Sequence, residues 1–389
     1  MSNPLKLSDW TDAALLGVTQ LVAFGTSLYL LGVLIVPIHL DTGWPLPLIA
    51  AGLSTGIVVN GLFSPHIGKR VRAGRGGAVL SLSTLLFAAG LLLIGAAHNV
   101  YVYFAGWAVV GAGMASGLYD TVFGTLGTRH DRAARPMISL VALVGGFAST
   151  IGWMISGALL RAVDWRICLD LFAAAHLVIN LPIFAWVFRH KGQAVGAEAA
   201  RAPAVPINRR VLLLVAGIFM VEAFVTTRIG VHLITLFREM GRDLGVAIAF
   251  GAIVGPCQVA GRLLEMTLGR RLHPVITVIV AACAVTISLI LLAVAPMAAA
   301  LALALYGAAI GVLSIARGLL PLELFGREHY AVVMGRLGRP IAFAQALAPA
   351  LAAGLVDTLP AGWVFAAIAV ASATAVVAAV ALKAIVRPA

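Results

Sequence analysis

The sequence predicts an all-α polytopic membrane protein with twelve transmembrane helices in two six-helix bundles. Three observations carry that prediction. Hydrophobic residues make up 61% of the 389 and charged residues only 11%, against roughly 25% charged in a water-soluble domain. Mean hydropathy is +1.04. The apolar residues also gather into about twelve stretches, each near the ~20 residues that cross ~30 Å of hydrocarbon. A spanning barrel would instead show ~10-residue segments of alternating polarity. The 41 Gly and 17 Pro are scattered without a collagen or linker period.

The stretches run over 13–38, 46–68, 76–97, 100–128, 136–160, 166–188, 211–237, 244–269, 274–295, 297–325, 331–356 and 362–383. The first follows MSNPLKLSDW, with Asp9 and Asp12 just before it. It is too long for a signal-peptide core and lacks a cleavage site, so it reads as a retained helix. His98-Asn99 separates the third and fourth stretches; Pro296 alone marks the turn between the ninth and tenth.

The net charge of +12 comes from 27 Lys and Arg against 15 Asp and Glu. With the N-terminus inside, twenty of the 27 fall in inward segments, among them Lys69, Arg70, Arg72 and Arg75. Four (Arg161, Arg166, Arg238, Arg242) fall outside, and Arg228, Arg262 and Arg317 lie within spans. The bias orients both termini toward the cytoplasm; it is not a nucleic-acid footprint. Cys168, Cys257 and Cys283 sit in apolar stretches at no motif spacing, so neither a disulfide frame nor a zinc site is expected.

The longest polar break, RHKGQAVGAEAARAPAVPINRR over 189–210, divides the chain into bundles 1–188 and 211–389 joined by a cytoplasmic linker. The halves echo each other. Phe24-Gly25-Thr26-Ser27 answers Phe224-Val225-Thr226-Thr227, and Arg135-Pro136 answers Arg339-Pro340. Pro65 with Gly68-Lys69-Arg70 answers Pro256 with Gly261-Arg262. Repeats of this kind place a substrate site near the membrane midplane where the halves meet.

Gly43-Trp44 and the run Gly61-Leu62-Phe63-Ser64-Pro65-His66-Ile67-Gly68-Lys69-Arg70-Val71-Arg72 resemble the second helix and following loop of the major facilitator superfamily, near its monocarboxylate-porter branch. The resemblance extends over the whole chain. It implies alternating access between two bundles, driven by an ion gradient, usually protons. It also implies that the first, fourth, seventh and tenth helices line the cavity. The family's loop signature, Gly then an acid then basic residues, stands in the second half as Gly261-Arg262-Leu263-Leu264-Glu265 before Gly269-Arg270-Arg271. In the first half Arg72 replaces the acid. The resemblance makes Arg262, Glu265 and Arg72 the gating set. Trp107 stands where drug exporters of the family carry an arginine, and Trp153 follows Gly152 where they carry Gly-Pro.

A charged residue at mid-helix costs about 2.5–3.5 kcal/mol on insertion scales, so it needs a cavity or a partner. In the fourth span Ser116, Asp120 and Phe123 share a stripe beside Tyr119. Asp120 reads as a proton-coupling carboxylate or a structural partner of an arginine. In the seventh, Glu222 and Thr226 lie one turn apart, while Arg228, His232 and Thr235 lie about 240° round. An ideal helix cannot point both sets into one cavity; a break near Gly230 would allow it. Arg228 suits a substrate carboxylate through its planar fork; pairing with Glu222 or Asp120 is the alternative. In the tenth, Tyr306, Ile310 and Arg317 share a face. Gln20, Thr26 and Tyr29 in the first can orient a small polar substrate or cap backbone carbonyls. The expected substrate set is therefore Arg228, Arg317, Tyr119, Thr26, Tyr29, Gln20 and Thr226, with Asp120 and Glu222 handling protons.

No GxxxxGK[ST] occurs, so ATP is not the driving force. His39, His66, His130, His190 and His273 sit near different ends and form no metal cluster. No nucleophile triad or HExxH is visible, so no enzyme, cofactor or metal is expected. The function read from the sequence is a proton-coupled secondary transporter of a small organic anion or zwitterion. The alternative is a proton-driven exporter of cationic or amphipathic compounds, in which Asp120 and Glu222 touch the substrate. The expected partners are a small-molecule substrate, H+ and the lipid bilayer, with no nucleic acid, and the chain is expected to act as a monomer.

Overall fold

The computed structural model describes residues 6–130, 133–188, 207–356 and 360–386. Among these residues every regular element is helical, and all twelve expected crossings are present. Several are interrupted. The first is split into Leu7–Gly25 and Leu31–Thr42 by a turn at 26–30. The second, Leu46–Arg70, passes through a π-turn into the third, Gly76–Gly95. Gly74 makes that reversal with φ +78°, a left-handed conformation that suits a residue without Cβ. The fourth breaks at Leu118 into Val100–Gly117 and Tyr119–His130. The fifth is Ala134–Gly145 and Ala148–Leu159. The sixth runs from Trp165 to Phe188 through a π-turn at His176–Asn180.

The seventh, Arg209–Glu239, opens on Asn208, whose side chain accepts from the main-chain N–H groups of Arg210 and Val211. It is continuous through Gly230, so no break there brings the two polar sets into one cavity. The eighth is Leu244–Thr267 and the ninth Pro274–Val294. Pro296 does end the ninth, through a short 3-10 turn at Pro296–Ala298. The tenth and eleventh lie within Ala299–Val356 and are parted at Gly326 (φ 63°, ψ 171°). The twelfth is Ala361–Ile385. These are the apolar helices of a multi-pass membrane protein. Residues 189–206 of the expected linker lie outside the described residues.

Contacts divide the chain into two compact units. One comprises Met1–Val205 with Leu324–Arg339; the other comprises Pro206–Glu323 with Pro340–Ala389. Helices in each approach closely over small residues, because lipid supplies no hydrophobic drive and packing must do the work. In the first unit Gly25 on the first span faces Gly152 on the fifth; a Cβ built on Gly152 would stand 2.9 Å from the Gly25 Cα. In the second, the eighth and tenth spans cross so tightly that a Cβ on Gly311 would overlap the Gln258 carbonyl.

Candidate functional site

In the first unit the polar groups gather around two helix breaks. Gln20 is fully buried, and its Nε2 donates to the Gly117 carbonyl at 2.9 Å, where the fourth span ends its first half. Its Oε1 has no partner among the described residues. Thr26 opens the turn in the first span. Its hydroxyl donates to the Val22 carbonyl at 2.8 Å and meets His176 Nε2 at 2.8 Å. Tyr29, half-buried, offers its main-chain carbonyl to the Trp153 indole N–H at 2.9 Å. Tyr119 stacks against Phe123 (4.9 Å between centroids) and lies 4.6 Å from Phe24.

Asp120 does not continue a stripe from Ser116, because Leu118 is extended and the helix restarts at Tyr119. Asp120 lies in the first turn of that new segment, where the N-terminal dipole favours a negative charge. It lines a small cavity with Ser64, Gly68 and Gly335. Arg72 lies half-buried in the π-turn after the second span, its Nε without a partner among the described residues.

His176 and Asn180 escaped the sequence reading. Asn180 Nδ2 stands 3.3 Å from the Thr19 carbonyl and 3.2 Å from His176 Nδ1. An amide NH2 has two hydrogens and both contacts are to acceptors. His176 Nδ1 therefore accepts, and its Nε2–H donates to Thr26. The ring stacks on Phe87 at 4.5 Å. The π-turn that carries the pair was the missing signal, since such turns are set by register along the backbone and have no composition mark.

In the second unit Glu222 is 4% exposed and Arg228 3%. Both Glu222 carboxylate oxygens and Arg228 Nη1 lack hydrogen-bond partners among the described residues. The seventh helix is unbroken, so the two residues keep their 240° separation, and Glu222 does not neutralise Arg228. Thr226, one turn past Glu222, donates to the Glu222 main-chain carbonyl at 2.7 Å. Tyr306 on the tenth span is buried beside Thr226 and Glu222 with its hydroxyl unpartnered among the described residues. Half-buried His232 follows Arg228 by one turn. Arg317 is half-buried further along the tenth span.

The signature residues of the second half have defined surroundings. Arg262 Nε donates to Ser314 Oγ at 3.0 Å, tying the eighth span to the tenth. Glu265 is buried and folds onto Gly269, where any Cβ would overlap its carboxylate. Among the described residues no group of three or more His, Cys, Asp and Glu is placed to hold a metal ion.

A buried guanidinium and a buried carboxyl on one apolar helix, with Arg228 Nη1 and both Glu222 oxygens unpartnered among the described residues, suit a protein that moves polar cargo or ions across a membrane. Solved structures agree in fold. The human organic anion transporter MFSD10 aligns over 97% of this chain and 100% of its own, with TM-score 0.74 and 17% identity. The proton:xylose symporter XylE aligns over 98% and 96%, with TM-score 0.71 and 13% identity. The E. coli fucose:proton symporter FucP aligns over 97% and 98%, with TM-score 0.71 and 14% identity. No curated protein sequence matches. The description of the Major Facilitator Superfamily matches residues 16–338, most of the length, and the chain belongs to that family.

Proposed function

We propose that the protein is a secondary active transporter that moves a small organic anion or zwitterion by alternating access, coupled to protons. One observation carries the substrate class: Arg228 is buried in a membrane span with Nη1 unpartnered among the described residues. A buried cation without a partner is costly, and a substrate carboxylate supplies two acceptors that match the guanidinium fork. Glu222 is the proton-bearing group, with Asp120 second. Arg317, Tyr119, Thr26, Tyr29, Gln20 and Thr226 complete the substrate set, and Arg262, Glu265 and Arg72 the gate. The two halves, 1–188 and 211–389, act as the moving bodies. The second-helix run from Gly61 to Arg72 supports a bacterial member near the monocarboxylate-porter branch. We place it as a monomer in the inner membrane, and the cation count supports both termini facing the cytoplasm.

The test is uptake of labelled carboxylates and amino acids into proteoliposomes under a pH step. Carboxylate uptake lost in Arg228→Gln supports the reading; uptake equal in the variant overturns it. The unpartnered Glu222 carboxyl favours a second reading, export of cationic or amphipathic compounds. Under that reading Arg228→Gln spares cation transport and Glu222→Gln abolishes it.

A further inference from the structure

We propose that Arg228 and His232 are two arms of one carboxylate clamp, and that the imidazole takes up a proton as the carboxylate arrives. This rests on the reading of Arg228 as the substrate contact, and assigns it a partner and a proton. The seventh helix is unbroken from Arg209 to Glu239. Residues four apart on it therefore stand one above the other on one face, with Cβ atoms about 5–6 Å apart. Arg228 and His232 have that spacing. Arg228 is buried, and its Nη1 has no partner among the described residues. His232 is half-buried, and its Nε2 is likewise enclosed without a partner among the described residues. A guanidinium N–H and an imidazolium Nε2–H are both donors. A carboxylate has two oxygens and about four lone-pair sites, enough for both arms.

Charge decides when the proton comes. In the empty site, a protonated His232 would set a second cation one turn from the buried guanidinium. Like charges at that spacing repel, and more strongly away from water. The empty site therefore favours a neutral imidazole and carries a single positive charge. A carboxylate laid between the arms offsets the repulsion and gives Nε2–H an acceptor. Loaded with one carboxylate and one proton, the site again carries a single positive charge. No bond of the substrate is made or broken. The proton comes from the water that admits the carboxylate, and an imidazole exchanges protons readily near neutral pH. By linkage, the carboxylate favours the proton by the same factor as the proton favours the carboxylate.

The charged and titratable groups on the neighbouring spans are few. The twelfth and eighth spans pack on the seventh. The twelfth carries Lys383, in its last turn. The eighth carries Cys257, Arg262 and Glu265, and Asp243 precedes it. The tenth carries Tyr306, Arg317 and Glu323. On the seventh itself, Glu222 lies on another face, and Glu239 follows His232 by two turns at the exposed end of the helix. Arg228 is the charge one turn from the imidazole on its own face.

The test is nitrogen-15 NMR of the full chain in lipid nanodiscs, labelled at histidine, near neutral pH. Acetate, lactate and succinate are added in turn. The His232 signal is the one that His232→Gln removes. In the wild type at least one of these carboxylates should move that signal from neutral imidazole to imidazolium and draw protons from a weakly buffered medium. Both changes should be lost in Arg228→Gln and kept in Glu222→Gln. A His232 signal that none of the three moves overturns the proposal. So does one that moves equally in Arg228→Gln. If His232→Gln does not fold, proton uptake decides: uptake kept in Arg228→Gln and lost in Glu222→Gln overturns the proposal. A clamp that answers to carboxylate with no carriage into proteoliposomes sinks the transport reading alone. Proton-driven carboxylate uptake that His232→Gln leaves unchanged sinks this one alone.

Discussion

Glu222 and Arg228 lie six residues apart on one unbroken helix, both buried, and do not pair with each other. Each is left with an unmet need inside a membrane span: a hydrogen for the carboxyl, acceptors for the guanidinium. Two opposite charges on one helix usually answer each other when they are three or four residues apart. At six residues they cannot, so each must look to a different neighbour.

Replacing Arg228 removes a buried cation whose Nη1 has no partner among the described residues. Arg228→Gln keeps length and hydrogen-bonding capacity without the charge. Its melting temperature should be no lower than wild type, because breaking up an unpaired buried charge relieves a desolvation cost. Carboxylate uptake should fall at least tenfold. Thermal unfolding and proteoliposome uptake, measured on the same preparation, check both halves.

Thr26 and His176 form a bond that spans the first and sixth helices. Thr26→Val and His176→Leu should each destabilise by about 1–3 kcal/mol, since each leaves a buried polar partner unsatisfied. The double variant should cost less than the two together, by about 1 kcal/mol. Thr26→Ser should behave as wild type. Additive losses in a double-mutant cycle would show that the two side chains do not interact.

Gly326 holds φ 63° and ψ 171°, a region open almost only to glycine. Gly326→Ala should therefore cost about 1–3 kcal/mol in strain, although a Cβ there meets nothing within 4 Å. Gly217, which also has open space but lies mid-helix, supplies the contrast. Gly217→Ala should be neutral or stabilising. Thermal unfolding of the pair separates backbone strain from crowding.

Arg166 reaches the Gly95 and Ala97 carbonyls at the end of the third span and pairs with Asp41 at 3.0 Å. The ion pair is solvent-exposed in part, so Asp41→Asn should change stability by at most about 1 kcal/mol. Arg166→Leu also strips two carbonyls of their donor and should cost about 1–3 kcal/mol. Equal effects from both variants would show that the ion pair, and not the carbonyl contacts, matters at this corner.

The sequence alone determined the class, the number of crossings and most of their ends. Those follow from solvent: an apolar run of ~20 residues has one stable place, and a backbone in lipid must close its own hydrogen bonds as a helix. Pro296 punctuates where it does because a missing N–H acts locally. Tertiary structure alone decided which polar groups answer one another. The spacing of Thr26, His176 and Asn180 in the sequence contains no hint of their chain. The break at Leu118 and the continuity at Gly230 were also beyond composition, because helix interruption in a membrane depends on whether a neighbour such as Gln20 meets the freed carbonyl. Hydrogen bonds weaken beyond about 3.2 Å, and residues a hundred positions apart reach that range only when the spans between them have packed.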